Sequence, residues 1–267
     1  MEDLHCLLYQ TDIAWNQAEA NRRHYEAAFL ELPENCDLVA FPETCISGFQ
    51  PRSLECAESP DGESSRFFRQ WAERKNTAIV AGLSIRENGK AYNRLLWTDP
   101  GQSLHYDKRH LFRMGGETEL YTPGTQSCVV TYKGWRFLLR TCYDLRFPLS
   151  CRNRYENGRF LYDVLIVAAN WPASRKEAFQ TLAKARAIEN QAYVLLVNRV
   201  GHDSEGVFYS GNSLIIDYKG QVMASLPEAE EGFLSATLSR TGLDRFRENF
   251  PNHLDWEQEE LPACPTA

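Results

Sequence analysis

Three short apolar runs, each ending abruptly in polar residues, constrain the fold of this chain more than any other feature. The run DLVAF is followed by Pro42-Glu43, the run RFLLRT by Cys142, and the run DVLIVAA by Asn170. Runs that are this short and this rich in Val, Leu and Ile predict strands. Polar side chains just past strand ends are the default catalytic candidates of an α/β fold. A carboxylate and a thiol are therefore expected to converge at one edge of a sheet.

The rest of the pattern predicts a mixed α/β protein, with helices packed on one large sheet or on two. Asn88-Gly89 and Lys219-Gly220 are typical of hairpin turns. Strands are expected over residues 4–9, 38–41, 77–85, 94–98, 137–141, 164–168, 194–198, 213–217, 222–226 and 232–237. Helical spacing of apolar residues occurs over 16–32, 64–75 and 177–191. In the last of these, one apolar stripe is expected to contain Ala178, Leu182, Ala185, Ile188 and Ala192.

The domain organisation is expected to be simple. No low-complexity linker and no internal repeat divides the chain, so residues 1–267 are predicted to form a single domain. The last stretch, 240–267, is polar and contains Pro251, Pro262 and Pro265. It is predicted to be an extended tail rather than a core element.

Composition and charge exclude several classes of protein. A hydrophobic content of 43% excludes disorder as the main state. The 29 basic and 36 acidic residues give a net charge of −7, without a basic block, which argues against nucleic acid as a partner. No apolar stretch approaches the roughly 20 residues of a membrane helix. The acidic start MEDLHCLLYQ does not resemble a signal peptide, so a cytoplasmic location is expected.

The cysteines and histidines do not suggest a metal site. The eight cysteines are too sparse for a disulfide scaffold and form no CxxC pair. The six histidines show no ligand spacing. No metal or cofactor is expected.

Each candidate residue is weak evidence by itself. A glutamate after proline is usually a turn residue, a lone cysteine is more often a small buried hydrophobe, and Lys108 could be a solvated loop charge. Their joint occurrence in this order, together with the segment YDKRHLF at 106–112, favours a functional site over these structural interpretations.

Taken together, FPET at 41–44, YDKRHLF at 106–112 and TCYDLRFP at 141–148 resemble the nitrilase, or carbon–nitrogen hydrolase, superfamily. ANWP at 169–172 and ARAIENQAYV at 185–194 support this resemblance, which covers nearly the whole chain. It implies a four-layer α-β-β-α sandwich and a homodimer, for which helix 177–191 and the C-terminal tail are candidate interface parts. It also implies a catalytic triad of Glu43, Lys108 and Cys142. A second glutamate is implied before the Pro123-Gly124 turn, where Glu117 fits and Glu119 competes.

The chemistry of these residue types agrees with the implied roles. A cysteine thiolate can split amide hydrolysis into two easier steps through a thioester. Glu43 can take the thiol proton and pass it to leaving ammonia, while Lys108 and the backbone N–H of Tyr143 stabilise the oxyanion. Glu117 could orient Lys108 or position the deacylating water.

Within the superfamily, CYDLRFP, ANWPASR and NRVG at 198–201 look most like the omega-amidase branch. This resemblance implies a small α-keto acid ω-amide such as 2-oxoglutaramate as the substrate. Arg146 and Arg175 are candidates to bind its carboxylate, although either could instead form an internal salt bridge. Tyr143 and Trp171 are candidate pocket walls, and Trp171 could equally be core.

Several alternative functions are also compatible with the sequence. Other superfamily members hydrolyse deaminated glutathione, aliphatic amides, N-carbamoyl amines or nitriles. A Cys-His mechanism using His110 is the rival, although the sequence around Cys142 does not match the papain-type pattern. A nitrilase-like fold retained as a binding scaffold is the non-enzymatic alternative.

Overall fold

The computed structural model describes residues 2–49 and 54–256. The strands of this part of the chain are β1 (Leu4–Gln10), β2 (Leu38–Ala40), β3 (Ala78–Glu87), β4 (Lys90–Asp99), β5 (Gln102–Asp107), β6 (Val129–Tyr132), β7 (Trp135–Thr141), β8 (Tyr155–Glu156), β9 (Arg159–Phe160), β10 (Val164–Ala169), β11 (Tyr193–Asn198), β12 (Val200–His202), β13 (Phe208–Ser210), β14 (Leu214–Ile216), β15 (Val222–Ser225) and β16 (Gly232–Leu238). Its α-helices are α1 (Ala18–Glu31), α2 (Glu63–Lys75), α3 (Glu117–Leu120), α4 (Pro148–Cys151), α5 (Lys176–Asn190) and α6 (Arg240–Asn249). Within the described ranges, no helix is long and apolar enough to cross a membrane.

Two main sheets form from the described strands. One has the order β16-β1-β2-β3-β4-β5 and the other the order β15-β14-β11-β10-β7-β6. The strands β1, β2 and β3 are parallel neighbours, as are β7, β10 and β11. Antiparallel strands complete both sheets on either side. The β-α-β order that the predicted strands and helices give at the start of the chain, and again over 137–198, is confirmed.

Alternating side chains divide the core into layers. Leu8 of β1 and Ile166 of β10 point into one cluster shared by the two sheets. Tyr9, the next residue of β1, packs with aromatic side chains of α1 and α2. Val167, the next residue of β10, packs with Phe179 of α5. Since each sheet faces the other on one side and helices on its second side, the four-layer α-β-β-α sandwich is confirmed.

The predicted hairpin at Asn88-Gly89 is also confirmed. Glu87 pairs with Lys90, so only two residues connect β3 to β4. Both have positive φ angles, 50° at Asn88 and 75° at Gly89, as a tight turn between twisted strands requires.

The apolar stripe expected on α5 is correct only in part. Ala192 is buried and Ala178 and Leu182 pack against the same core cluster, but Ile188 is 54% exposed. The most buried side of the helix carries Phe179, Ala183 and Ala187, and also Arg186, which donates to the carbonyl oxygen of Leu145. The apolar spacing misplaced the centre of the buried face because that face includes polar residues that find partners in the tertiary structure.

The extended tail expected from residue 240 is also wrong for its first part. Residues Arg240–Asn249 form α6, in which Leu243 is fully buried and Ser239 is the N-cap. Arg240 and Arg247 form ion pairs with buried Asp163, at 3.0 and 2.7 Å. This polar helix is therefore held by long-range ion pairs that no local pattern reveals. The part of the predicted tail from 257 to 267 lies outside the described residues.

Candidate active site

The ends of β2, β7 and β10 meet between the two sheets, and this brings Glu43 and Cys142 together. Asn170, directly after β10, donates its backbone N–H to Oε2 of Glu43 at 2.9 Å. Its side-chain amide donates to the carbonyl oxygen of Glu43 at 2.9 Å. The Cys142 thiol donates to the carbonyl oxygen of Asn170 at 3.8 Å. Asn170 therefore connects the carboxylate and the thiol from opposite sheets.

The backbone at both groups is unusual. Cys142 opens a 3-10 helix, Cys142–Arg146, with a φ of 43°, in the left-handed region that a non-glycine residue seldom adopts. Thr44, beside Glu43, has a φ of 40°. A Cβ at Gly82 of β3 would lie 2.5 Å from the Cα of Glu43, so only glycine permits this close approach. Backbone strain of this kind concentrates at functional sites.

Lys108 lies between two carboxylates. It follows β5, and its Nζ donates to Oε1 of Glu43 and to Oε2 of Glu117, each at 2.8 Å. Its backbone is anchored on both sides, since its N–H donates to the carbonyl oxygen of Asn93 and its own carbonyl accepts from Gly124. The structure thus brings together all four residues for which the sequence predicts catalytic roles.

Glu117, rather than its competitor Glu119, is the glutamate that lies in this cluster. Glu117 is fully buried at the start of α3, whereas Glu119 is exposed on the same helix. Besides Lys108, the Glu117 carboxylate accepts hydrogen bonds from the backbone N–H of Phe112 at 2.6 Å and from Nδ2 of Asn93 at 2.8 Å. All its hydrogen-bond partners among the described residues are donors, and it does not line the pocket.

Burial and mutual charge set the electrostatics of the cluster. Burial raises the pKa of the Cys142 thiol well above its usual value, and the charge of Glu43 raises it further, while Lys108 opposes both. Burial alone would lower the pKa of Lys108, but Glu117 and Glu43 outweigh it and hold that pKa above its ordinary value. Burial raises the pKa of Glu117 despite the adjacent lysine. The resting thiol is therefore protonated and needs a base.

Two asparagines of the cluster are not among the four residues for which the sequence predicts catalytic roles. Nδ2 of Asn93 donates to Oε1 of Glu43 at 2.7 Å as well as to Glu117. Asn170 had a detectable signal, because it directly follows a predicted strand and lies in the segment ANWP. Asn93 sits inside β4 with no distinguishing neighbour, so no sequence signal marked it.

A pocket of about 570 Å³ opens onto the cluster. Glu43, Lys108 and Cys142 lie at its wall, and all four predicted substrate-binding residues line it: Tyr143, Arg146, Trp171 and Arg175. Trp171 is both a pocket wall and a core residue, since it is 3% exposed and stacks on Phe179. The two functions proposed for Trp171 from the sequence are therefore compatible.

The two pocket arginines rest on aromatic rings. The guanidinium of Arg146 lies 4.7 Å from the ring centre of Trp171, and that of Arg175 lies 5.3 Å from the ring centre of Phe112. Among the residues that the structure describes, neither guanidinium has an ion-pair or hydrogen-bond acceptor. The internal salt bridge considered as the alternative for Arg146 is thus not formed with any described residue, and both charges face the pocket.

His110 has a different environment from the one that a Cys-His hydrolase requires. Its Nδ1 and backbone N–H both bond to Oδ1 of Asp144, at 2.7 and 3.0 Å, and its ring stacks on Phe147 at 3.9 Å. Asp144 also accepts from the hydroxyl of Tyr106, which anchors the segment carrying Lys108. His110 thus joins the Lys108 loop to the 3-10 helix of Cys142. The described residues contain no His, Cys, Asp and Glu cluster arranged to hold a metal ion.

Comparison with known proteins agrees with this geometry. The family model for carbon–nitrogen hydrolases matches residues 8–248. The omega-amidase YafV of Yersinia enterocolitica is 40% identical over 259 residues, which cover 97% of this chain and 98% of that protein. The 2-oxoglutaramate amidase of Bacillus subtilis is 31% identical, over 91% and 93% of the two chains.

A solved structure is similar over the whole length. XC1258 from Xanthomonas campestris, a member of the same superfamily with an arsenic adduct in its active site, is 39% identical. It superposes with a TM-score of 0.95, over 98% of this chain and 100% of that one.

Proposed function

The chain belongs to the carbon–nitrogen hydrolase family and is a hydrolase of amides, and from this premise we propose that it hydrolyses a short linear ω-amide carrying a carboxylate at its far end. An α-keto acid amide of the 2-oxoglutaramate type fits this description. The observation that carries the proposal is the pair of pocket guanidinium groups, Arg146 and Arg175, which lack a carboxylate partner among the described residues. Relatives named omega-amidase and 2-oxoglutaramate amidase support the same substrate class.

In the proposed acylation step, Cys142 is the nucleophile and Glu43 the base. Oε1 of Glu43 accepts from both Lys108 and Asn93, whereas Oε2 accepts from the backbone of Asn170, and the Cys142 thiol also interacts with the Glu43 carboxyl. A lone pair of Oε2 is therefore available for the thiol proton. The thiolate sulfur bonds to the amide carbon, and Glu43 then passes the proton to the nitrogen as the C–N bond breaks. Ammonia leaves, and a thioester remains.

Deacylation uses the same base. Glu43 takes a proton from water, and the resulting hydroxide attacks the thioester carbon. The C–S bond breaks, and Glu43 returns the proton to the sulfur of Cys142. The two steps together consume one water and give ammonia and the carboxylic acid. The enzyme ends in its starting state, so atoms and protons balance.

Lys108 and Tyr143 are proposed to stabilise the tetrahedral oxyanion. The ammonium of Lys108 reaches the pocket wall, and its charge is maintained by two carboxylates. The backbone N–H of Tyr143 lies in the first turn of the 3-10 helix, where backbone donors lack an intrahelical acceptor. Preorganised donors of this kind act without reorganisation at the moment of reaction.

Glu117 is proposed to orient Lys108 rather than to position water. Its carboxylate already accepts from Lys108, Phe112 and Asn93, and it is fully buried behind the pocket wall. A carboxylate in this position fixes the lysine and keeps it charged.

The substrate proposal is tested by measuring ammonia release from a panel of purified compounds. The panel contains 2-oxoglutaramate, a neutral amide of equal length, a nitrile, an N-carbamoyl amino acid and deaminated glutathione. We expect the highest kcat/KM for the keto acid amide. Preference for a nitrile or a carbamoyl amine would contradict the substrate proposal and leave the Cys142 mechanism in place.

Two arginine variants sharpen the same test. Arg146→Ala and Arg175→Ala are each assayed with 2-oxoglutaramate and with the neutral amide. Loss of a charge-assisted hydrogen bond worth about 1.5–3 kcal/mol should raise KM for the anionic substrate by roughly tenfold or more. The neutral amide serves as the internal control and should be unaffected. Equal losses on both substrates would show that the arginines support the pocket and do not bind the carboxylate.

We also propose that the enzyme is a cytoplasmic homodimer. The side chains of Ala178 and Leu182 on α5 are partly exposed, and Leu149 of α4 is 90% exposed, so apolar surface is available for a second copy. The nucleophile requires a reduced thiol, which the cytoplasm maintains. Light scattering at micromolar concentration should give twice the monomer mass, and a monomer mass would contradict the dimer.

A further inference from the structure

The amide of Asn93 is shared between two buried carboxylates. Its Nδ2 donates to Oε1 of Glu43 at 2.7 Å and to Oε1 of Glu117 at 2.8 Å. An amide nitrogen carries two N–H donors, so each carboxylate receives one. The reverse orientation would place the amide oxygen against two carboxylate oxygens, which repel it.

Asn93 also organises the lysine between these carboxylates. Its backbone carbonyl accepts from the N–H of Lys108 at 2.8 Å. One residue of β4 is therefore hydrogen-bonded to Glu43, Glu117 and Lys108 at once. Asn93 is 1% exposed, and its own Oδ1 has no partner among the described residues. A buried amide that leaves its acceptor unpaired while presenting both donors indicates a functional constraint.

The charges around Glu43 explain why such donors matter. The titratable groups facing Glu43 are Lys108 after β5, Glu117 of α3, Cys142 after β7 and Tyr121 after α3. Two carboxylates share a single lysine in a buried site, and the tendency of such a pair is to retain a proton. The thiol of Cys142 needs an ionised carboxylate as its base, so the donors that favour the charged form of this pair support the proposed chemistry.

We propose that Asn93 is a positioning residue that keeps Glu43 and Glu117 both ionised, so that Glu43 is available as the base for Cys142. This inference rests on the proposed function and adds a residue that acts through the carboxylates without touching the substrate. Donation to the ionised form of an acid favours that form. Removal of the two N–H donors should therefore let the carboxylate pair bind a proton at higher pH.

The test is the pH profile of Cys142 alkylation by iodoacetamide in the full chain, followed by mass spectrometry. Alkylation needs no substrate, so it reports on Asn93 even if the substrate proposal fails. Asn93→Leu removes the donors at a similar side-chain volume, and Asn93→Ala removes them without adding bulk or charge. Tyr92→Phe, on the neighbouring position of β4, is the matched control.

We expect the acid limb of the profile to move upward by about one pH unit or more in both Asn93 variants, the equivalent of one lost hydrogen bond to a charged group. On the acid side the rate should fall about tenfold, and it should recover at higher pH. The kcat/KM profile with the preferred amide should shift in parallel, with KM nearly unchanged. Tyr92→Phe should leave both profiles in place.

Two results would contradict the proposal. If the acid limb of the alkylation profile stays at the wild-type pH, or if the alkylation rate falls by the same factor at every pH, the proposal is overturned and Asn93 has a structural role. If Asn93→Leu does not fold, the Asn93→Ala profile decides by the same criterion. A shifted alkylation profile in an enzyme inactive toward the whole amide panel would support Asn93 and contradict the proposed substrate.

Discussion

Two buried charged clusters of this protein differ in the sign of their excess charge. In one, Asp163 is fully buried and pairs with Arg136, Arg240 and Arg247, so three cations surround one anion. In the other, Glu43 and Glu117 share Lys108. The first holds α6 against the sandwich, and none of its members lines the pocket, whereas the second opens onto it.

The difference shows that buried ion pairs can contribute either to stability or to catalysis. At Asp163 burial favours a raised pKa, but the three arginines outweigh it and lower the pKa of the carboxyl. At Glu117 burial prevails over the single lysine and raises the pKa. Surplus cations thus favour the ionised form of Asp163, whereas the single cation beside Glu117 does not offset the effect of burial. We infer that charge balance and access to a pocket, rather than burial, distinguish the catalytic cluster.

The largest effect should come from the nucleophile itself. Cys142→Ala should reduce amide turnover by about 10⁴-fold or more, as loss of a nucleophile does in other covalent hydrolases. Alanine keeps the Cβ, so the strained backbone at this position is unchanged and the variant should remain folded. Ammonia release and thermal unfolding measure the two quantities. Cys128→Ala, outside the cluster, should behave as wild type, and normal activity in Cys142→Ala would refute the mechanism.

Removal of the base should have the next largest effect. Glu43→Gln should slow acylation by about 10²–10⁴-fold, because the thiol loses its proton acceptor. His110→Asn should keep measurable activity, since His110 is bonded to Asp144 and stacked on Phe147. Single-turnover ammonia release compares the two variants. The reverse order of activities would favour a Cys-His mechanism.

The arginine-rich cluster should respond in stability and not in rate. Asp163→Asn leaves Arg136 and Arg247 without their ion-pair partner, and Arg240 with only Asp244, and should lower the free energy of unfolding by about 3–5 kcal/mol, measured with urea. The kcat of the folded fraction should not change. Asp61→Asn breaks only the exposed pair with Arg69 and should cost less than about 1 kcal/mol. A loss of kcat in folded Asp163→Asn would contradict the purely structural role of the Asp163 cluster.

The same cluster has a pH signature whose sign follows from its lowered pKa. A carboxyl with a pKa lower in the folded than in the unfolded state stabilises the fold fully above the unfolded value, about 3.9 for Asp. That contribution is lost as the pH falls below this value toward the folded pKa. Acid unfolding of the wild type should therefore be steeper than that of Asp163→Asn below about pH 4.

The smallest of these effects is expected at the oxyanion donor. Lys108→Ala should cost about 3 kcal/mol of transition-state stabilisation, by analogy with other lost oxyanion donors. The measurement is kcat/KM, with Lys133→Ala as a surface control. Retained activity would place the oxyanion role elsewhere and would make Lys108 a structural counter-charge, like the arginines around Asp163.

How much could be predicted from the sequence depended on whether a feature is local. The apolar runs before Cys142 and Asn170 indicated β7 and β10, because residues this apolar have to be buried. The motifs around Glu43, Lys108 and Cys142 implied their common site through the family resemblance. The strand β5, which carries the chain to Lys108, was not predicted, since its residues from Gln102 to His105 are largely exposed and polar.

Tertiary structure decided the features whose partners are distant in the chain. Helix α6 is polar in sequence, and its stability depends on Asp163, about 80 residues earlier. The buried face of α5 was set by contacts with the sheet and by hydrogen bonds of Arg186, not by its own apolar spacing. Asn93 meets Glu43 across 50 positions. The sequence by itself determined which segments must be buried, because hydrophobicity is local, whereas the pairing of buried polar groups was decided only when the two sheets packed face to face.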